Sequence, residues 1–139
     1  MNARSIILFI FLLIIGISCN DDENFTTSCD DLVLVDSNEF GTESTYFELI
    51  SAEVSNGCFQ VKFSAPGCDG SSTKMRLIDS GVIKESNPVQ RDLKLVLDNE
   101  ELCLAIFTNE VSFDLSPLRS PDENVIQINL EGEQYIYSY

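Results

Sequence analysis

YFELISAEVSNGCFQVKFS, residues Tyr46 to Ser64, decides the fold of this chain. Its second half alternates without a slip: Phe59, Val61 and Phe63 fall on one side, Cys58, Gln60, Lys62 and Ser64 on the other. Residues two apart share a face only on a β-strand, so this is a strand with one apolar and one polar side. The first half places Phe47 and Leu49 on one face, then Ile50, Ala52 and Val54. The phase moves by one residue near Ile50, as it does where a β-bulge inserts an extra residue. Between the halves stands Asn56-Gly57. A two-residue hairpin turn of type I′ needs positive φ at both central positions, which this pair tolerates best. The stretch reads as a β-hairpin.

The same period of two governs the flanks. Asp31 to Val35 is a short apolar run, read as the first strand. TKMRLID turns Met75 and Leu77 inward against Lys74 and Arg76, and RDLKLVLD aligns Leu93, Leu95 and Leu97. VSFDLS aligns Val111, Phe113 and Leu115, while VIQINLE and YIYSY flank Gly132 as a final hairpin. Pro66 to Ser72 and Pro117 to Asn124 have loop composition. Val82-Ile83 is left as a short edge between breaks at Gly81 and Asn87-Pro88. Leu102 to Phe107 is apolar on both faces, which predicts a central strand covered on both sides. No window of 11 or more residues carries a helical period or a capped start. Eight or nine short strands imply an all-β fold, an antiparallel two-sheet sandwich of immunoglobulin-like or related topology. A lipocalin-like closed barrel is the alternative and would take more chain. One β-sandwich domain, residues 29–139, is expected, without internal repeats.

The first 18 residues differ in kind. Arg4 supplies one positive charge, Ile6 to Ile17 is apolar except at Gly16, and Ser18 follows. A basic start, an apolar core and a small-residue exit make a secretory signal peptide, here residues 1–18. A spanning helix needs about 20 apolar residues, and this run ends at Ser18 and Asn20-Asp21-Asp22-Glu23. The whole chain carries 8 basic and 23 acidic residues, a net charge of −15, and no histidine. Such charge repels nucleic acid phosphates, so no nucleic acid partner is expected.

Five cysteines, Cys19, Cys29, Cys58, Cys68 and Cys103, leave one over if the rest pair. Cys19 sits at the exit of the signal. Ile17-Ser18-Cys19 resembles the end of a bacterial lipobox, although Gly16 occupies the place of the usual large aliphatic residue. NDDEN after it is similar to the acidic export tract of Bacteroidetes surface lipoproteins. The resemblance covers about 24 residues. It implies lipidation at Cys19, a lipid-anchored acidic tether over residues 19–28, and an outer-membrane protein displayed at the surface. Anchoring by two or more acyl chains is what stable attachment without a spanning helix requires.

Four remaining cysteines allow three pairings. Strand order favours Cys29–Cys58 and Cys68–Cys103. If the first strand lies antiparallel to Tyr46–Ser55, Cys29 comes beside Cys58. If CFQVKFS neighbours Leu102–Phe107 antiparallel, as in an immunoglobulin-like order, Cys68 meets Cys103. A zinc site is the competing use, but no C-x-x-C spacing supports it, and export favours bridges.

Chemistry is sparse. Without histidine there is no Ser-His-Asp or Cys-His machinery, and no phosphate-binding or nucleophile-elbow motif is present. No enzymatic activity, cofactor or metal is expected. Calcium is the ion to weigh, through Asp122, Glu123 and Asn124, or through Asp98, Glu100 and Glu101. Tyr135, Tyr137 and Tyr139 form an alternating stripe that either contacts a protein or glycan or closes the core. The expected function is a lipid-anchored, non-enzymatic exported binding or structural module. The alternatives are a calcium-dependent surface adhesin or accessory subunit, a small inhibitor, and a carboxylate-dependent glycan hydrolase.

Overall fold

The computed structural model describes residues 28–139. The signal segment 1–18, Cys19 and all but the last residue of the tether 19–28 lie outside the described residues. Among the described residues there are nine strands: β1 (Asp31–Leu32), β2 (Leu34–Val35), β3 (Glu48–Ser55), β4 (Cys58–Gly67), β5 (Lys74–Lys84), β6 (Val89–Asp98), β7 (Ala105–Asp114), β8 (Val125–Leu130) and β9 (Glu133–Ser138). A four-residue helix, α1 (Ser37–Phe40), and a 3-10 turn at Ser116–Leu118 complete the set. Sheet A has the order β1-β7-β4-β3, and sheet B the order β2-β5-β6-β8-β9. Their inner faces share one core: Phe59, Val61, Phe63 and Phe113 from sheet A, with Leu77, Leu95, Leu97, Ile126 and Ile128 from sheet B. The two-sheet sandwich with two disulfides, Cys29–Cys58 and Cys68–Cys103, is therefore the observed fold.

The hairpin forms as its residues dictate. Val54 pairs with Phe59 and Ser55 with Cys58 around Asn56 (φ 52) and Gly57 (φ 78). The register slips between Leu49 and Ser51, leaving Ile50 as the extra residue of a bulge. Glu131 and Gly132 make a second turn with positive φ between β8 and β9.

Both sheets are mixed rather than wholly antiparallel, because β1–β7, β2–β5 and β6–β8 are parallel. The first strand splits at Val33, which is buried, so that Asp31–Leu32 joins sheet A and Leu34–Val35 joins sheet B. β6 and β8 run the same way because the chain crosses to sheet A as β7 before returning. The β3–β4 hairpin stays within one sheet, whereas an immunoglobulin domain places its second and third strands in different sheets. The topology is thus of the related kind.

Three local expectations are corrected. β4 runs on through Pro66 and Gly67, which composition assigns to a loop. Beyond Ser64 it no longer has β3 beside it, and proline is tolerated at such an edge. The run Leu102–Phe107 is not a doubly covered strand: Leu102 is 94%, Leu104 99% and Ile106 68% exposed. Only its last three residues, Ala105–Phe107, enter β7, which runs on through Val111–Asp114 and is central by hydrogen bonding in a sheet whose outer face meets solvent. Lastly, α1 has a capped start: the Asp36 carboxylate accepts the amides of Asn38 (2.8 Å) and Glu39 (3.2 Å). At four residues it is too short to show a period. Residues after it serve β6, where Ser44 Oγ accepts the Leu97 amide and the Thr45 amide donates to the Leu97 carbonyl.

Two polar features sit inside. Arg91 and the fully buried Asp79 make a two-pronged ion pair, Nε to Oδ2 and Nη2 to Oδ1, both at 2.8 Å. The pair lies where the β5–β6 register breaks between Asp79 and Ile83. Tyr137, 1% exposed, accepts a hydrogen bond from Arg119 Nε at 2.7 Å, and the same guanidinium lies over the Tyr137 and Tyr139 rings. We expect Tyr137→Ala to lower unfolding stability by about 3–5 kcal/mol. Tyr137→Phe keeps the ring and loses the hydrogen bond, so it should cost only about 1 kcal/mol. Urea denaturation of the two variants separates these outcomes.

Candidate functional site

A strand that buries Phe59, Val61 and Phe63 must turn Gln60, Lys62 and Ser64 to the other side. β3 and β7 add their outward residues in register. Ser51, Lys62 and Glu110 form one cross-strand row, and Glu53, Gln60 and Ser112 the next. Asp30 extends the second row: its carboxylate accepts the Ser112 amide at 2.8 Å and the Ser112 hydroxyl at 2.7 Å. Those bonds hold the Asp30 carboxyl below the ordinary aspartate range. Lys62 Nζ meets Glu110 Oε1 at 2.7 Å, a solvent-exposed pair of little energetic weight. Together these side chains line a shallow trough of about 410 Å³ on the outer face of sheet A. Amides, hydroxyls and carboxylates on neighbouring strands stand about 4.8 Å apart. That lattice can hydrogen-bond an extended ligand or the polar rim of a protein partner.

At one end of this face lies a second construction. The β4–β5 loop turns three successive amides, Cys68, Asp69 and Gly70, toward Glu101 Oε2. Glu101 Oε1 takes the Ser72 hydroxyl at 2.8 Å and the Ser72 amide at 3.3 Å. Such a concavity of backbone N–H groups is an anion nest, and here a side chain of the protein itself fills it. Gly70, at φ +76, has no room for a Cβ against Phe107 and Asn109, and a Cβ at Gly67 would strike Glu101 and Phe107. The Cys68–Cys103 bridge closes the same loop, with Cα atoms 4.9 Å apart. Desolvation pushes the Glu101 carboxyl upward, but hydrogen bonds from the Ser72 hydroxyl and the Gly70, Cys68 and Ser72 amides outweigh it and set its pKa at about 2.

Of the residues singled out by sequence, the four cysteines come together as expected. Cys68–Cys103 follows from the antiparallel β4–β7 pairing, in which Gly67 faces Ala105. Cys29–Cys58 forms for a different reason than strand order suggests. The segment carrying Cys29 runs beside β7 rather than β3, and β7 also borders β4, which opens at Cys58. The tyrosine stripe closes the core: Tyr135 meets Phe59 edge-on at 5.0 Å, Tyr137 is buried, and the Tyr139 ring lies tilted beside it. Asp122, Glu123 and Asn124 lie in a turn, and among the described residues no three His, Cys, Asp or Glu side chains converge to hold a metal. Asp98 is engaged by Arg76 and Glu101 by the nest. Cys19 lies outside the described residues. Sequence reading misses the nest, whose only local trace is the glycine- and serine-rich Gly67–Ser72. It also misses the trough, although the outward residues Gln60 and Lys62 are identified.

These features define a disulfide-bonded, all-β sandwich with one open, polar sheet face. No family model matches the chain, and no curated protein does. Two solved structures are similar in fold. One is a protein of unknown function (DUF1344) from Bacteroides vulgatus, with a TM-score of 0.52 and 18% identity over 78% of this chain and 55% of that one. The other is a NigD-like immunity protein from Bacteroides caccae, with a TM-score of 0.54 and 11% identity over 76% of this chain and 58% of that one. The chain thus spans less than two thirds of either neighbour's length.

The nest gives acid stability a definite sign. A carboxyl whose pKa is about 2 folded, against an ordinary 4.5, stabilises the fold above about pH 4.5. That contribution is lost as pH falls toward and through 2. Glu101→Gln should therefore be less stable than the parent at pH 7, and the gap should close on acidification from about pH 4.5 to 2. Urea titrations across that range test it; a gap independent of pH would show that the nest does not hold an ionised carboxylate.

Proposed function

We propose that this chain is an exported, non-enzymatic binding module, held at the outer membrane by a lipid on Cys19, with the outer face of sheet A as its contact surface. The observation that carries the reading is the bracketing of β4. One disulfide is made by its first residue, Cys58, and the other by Cys68, immediately after its last. Bridges of this kind persist outside the reducing cytoplasm. They also hold the trough's central strand fixed at both ends, so a partner meets a surface already ordered, which favours binding by lowering its entropic cost. The lipobox-like Ile17-Ser18-Cys19 and the acidic stretch after it supply the address.

Its net charge of −15 argues against a nucleic acid partner and for a protein or glycan one. A small-inhibitor role is the second reading, supported by the fold likeness to a NigD-like immunity protein. A glycan hydrolase would have to draw on the carboxylates of the trough, such as Glu53 and Glu110. The intact mass of the protein from the membrane fraction tests the anchor. A chain that begins at Cys19, carries acyl chains and lacks four thiol hydrogens is expected. An unacylated chain would overturn the anchoring. Glycan hydrolysis abolished by Glu53→Gln or Glu110→Gln would overturn the non-enzymatic reading.

A further inference from the structure

Leu102 and Leu104, the two most exposed large apolar side chains of the described residues, lie just before β7, and Ile106, 68% exposed, is the second residue of that strand. Single exposed leucines are ordinary on protein surfaces and cost little. These differ in being held. Glu101 is fixed in the nest by four amides and a hydroxyl. Cys103 is bonded to Cys68 on the same loop. The residues on both sides of Leu102 are thus tied down, and Leu104 follows directly, while both leucines reach almost wholly into water. An unfixed loop could fold such side chains away. This one is prevented from doing so.

The segment continues the contact face. Phe107, Val111 and Phe113 set the inward side of β7, so Ile106 points outward with Thr108, Glu110 and Ser112. Ile106 pairs with Pro66, Thr108 with Ser64, and Glu110 with Lys62 in the trough. The surroundings are acidic. Within the four strands of sheet A, Asp31, Glu48, Glu53, Glu110 and Asp114 face a single basic residue, Lys62, which Glu110 already engages. Glu100 and Asp69 add exposed acids next to the leucines. The bases of the sandwich gather in sheet B instead, with Lys74, Arg76 and Lys84 on β5 and Arg91 and Lys94 on β6.

Resting on the reading of sheet A as the contact surface, we infer that Leu102, Leu104 and Ile106 are its apolar foot, docking a protein partner whose apolar pocket is rimmed by lysine or arginine. Charge decides among the occupants. A second copy docking through the same face would set acid against acid and brings a net charge of −15 by any approach, and an anionic membrane surface would repel this face likewise. A basic rim gains from every acid around the leucines, and the leucines supply the desolvated centre that carries binding energy.

A labelled amphipathic Leu/Lys peptide is the probe, its binding followed by fluorescence anisotropy. The Leu102→Ser/Leu104→Ser variant keeps both bridges and all charges and should melt as the parent does. It should bind the peptide about tenfold more weakly or worse, and a Leu/Glu peptide should not bind the parent. Equal binding by parent and variant would overturn the foot. So would a parent dimer that the variant loses in sedimentation, or attachment of the parent to phosphatidylcholine vesicles through these leucines. The Glu53→Lys/Glu110→Lys variant separates the two levels of the claim. Binding lost there but kept in the leucine variant removes the foot and leaves the contact surface; binding kept in both removes both.

Discussion

Sheet A and both disulfides are arranged around the fixing of β4. Cys58 opens the strand with one bridge and Cys68 follows it with the other. Between them Phe59, Val61, Phe63 and Ala65 plug the core, while β3 and β7 take up its backbone on either side. The bridges span 29 and 35 residues of chain. Loop closure on that scale removes about 3–4 kcal/mol of unfolded-state entropy each, in the chain-entropy account. With the strand held at both ends and on both sides, the faces of sheet A are set by alternation alone.

Sheet B solves a different problem. It is completed from outside itself: β2 adds only two residues at one edge, and Ser44 and Thr45 satisfy Leu97 where β8 no longer flanks β6. Its register break is sealed by the Arg91–Asp79 pair, with the Gly81 amide also donating to Asp79. A buried pair of this kind adds little net stability over apolar residues of the same shape, but leaving one partner alone is costly. It therefore enforces one register at a place where backbone pairing has lapsed. Sheet B buries one ion pair, Arg91–Asp79, whereas the ion pair of sheet A, Lys62–Glu110, stays in solvent.

How far the sequence reveals this depends on the range of the interaction. The hairpin, its bulge at Ile50 and the inward rows of β4, β5 and β6 are local consequences of period two and of Asn56-Gly57, and they stand as read. The fate of Asp31–Val35 is not local. Its five residues give no sign that the chain divides at Val33 between two sheets, since each half has only two residues to pair. The Leu102–Phe107 run misleads for a related reason. Apolarity on both faces usually marks double coverage, yet here Cys103 and Glu101 bind the segment to a loop distant in sequence before it can enter the sheet. The nest is likewise invisible, because a carboxylate at Glu101 and amides at Cys68 to Ser72 lie about thirty residues apart. Composition marks Gly67–Ser72 as a loop but cannot say what the loop encloses.

The disulfide and the nest share one loop, and their combination explains a feature that neither explains alone. A bridge at Cys103 fixes one Cα but leaves its neighbours free to rotate about it. A carboxylate held by several donors fixes Glu101 in position and orientation. Two anchors on either side of Leu102, Glu101 and Cys103, constrain where it points, and Leu104 is constrained by Cys103 before it and by the start of β7 after it. Gly67 and Gly70 are the steric condition, since a Cβ at either would push Phe107 or Glu101 out of place. Stability alone does not account for two leucines locked into water, because turning them inward would bury apolar area at about 25 cal/mol per Å². A surface that exchanges that gain for fixed exposure is built to be covered by something else, which is why the leucines belong with the trough and not with the core.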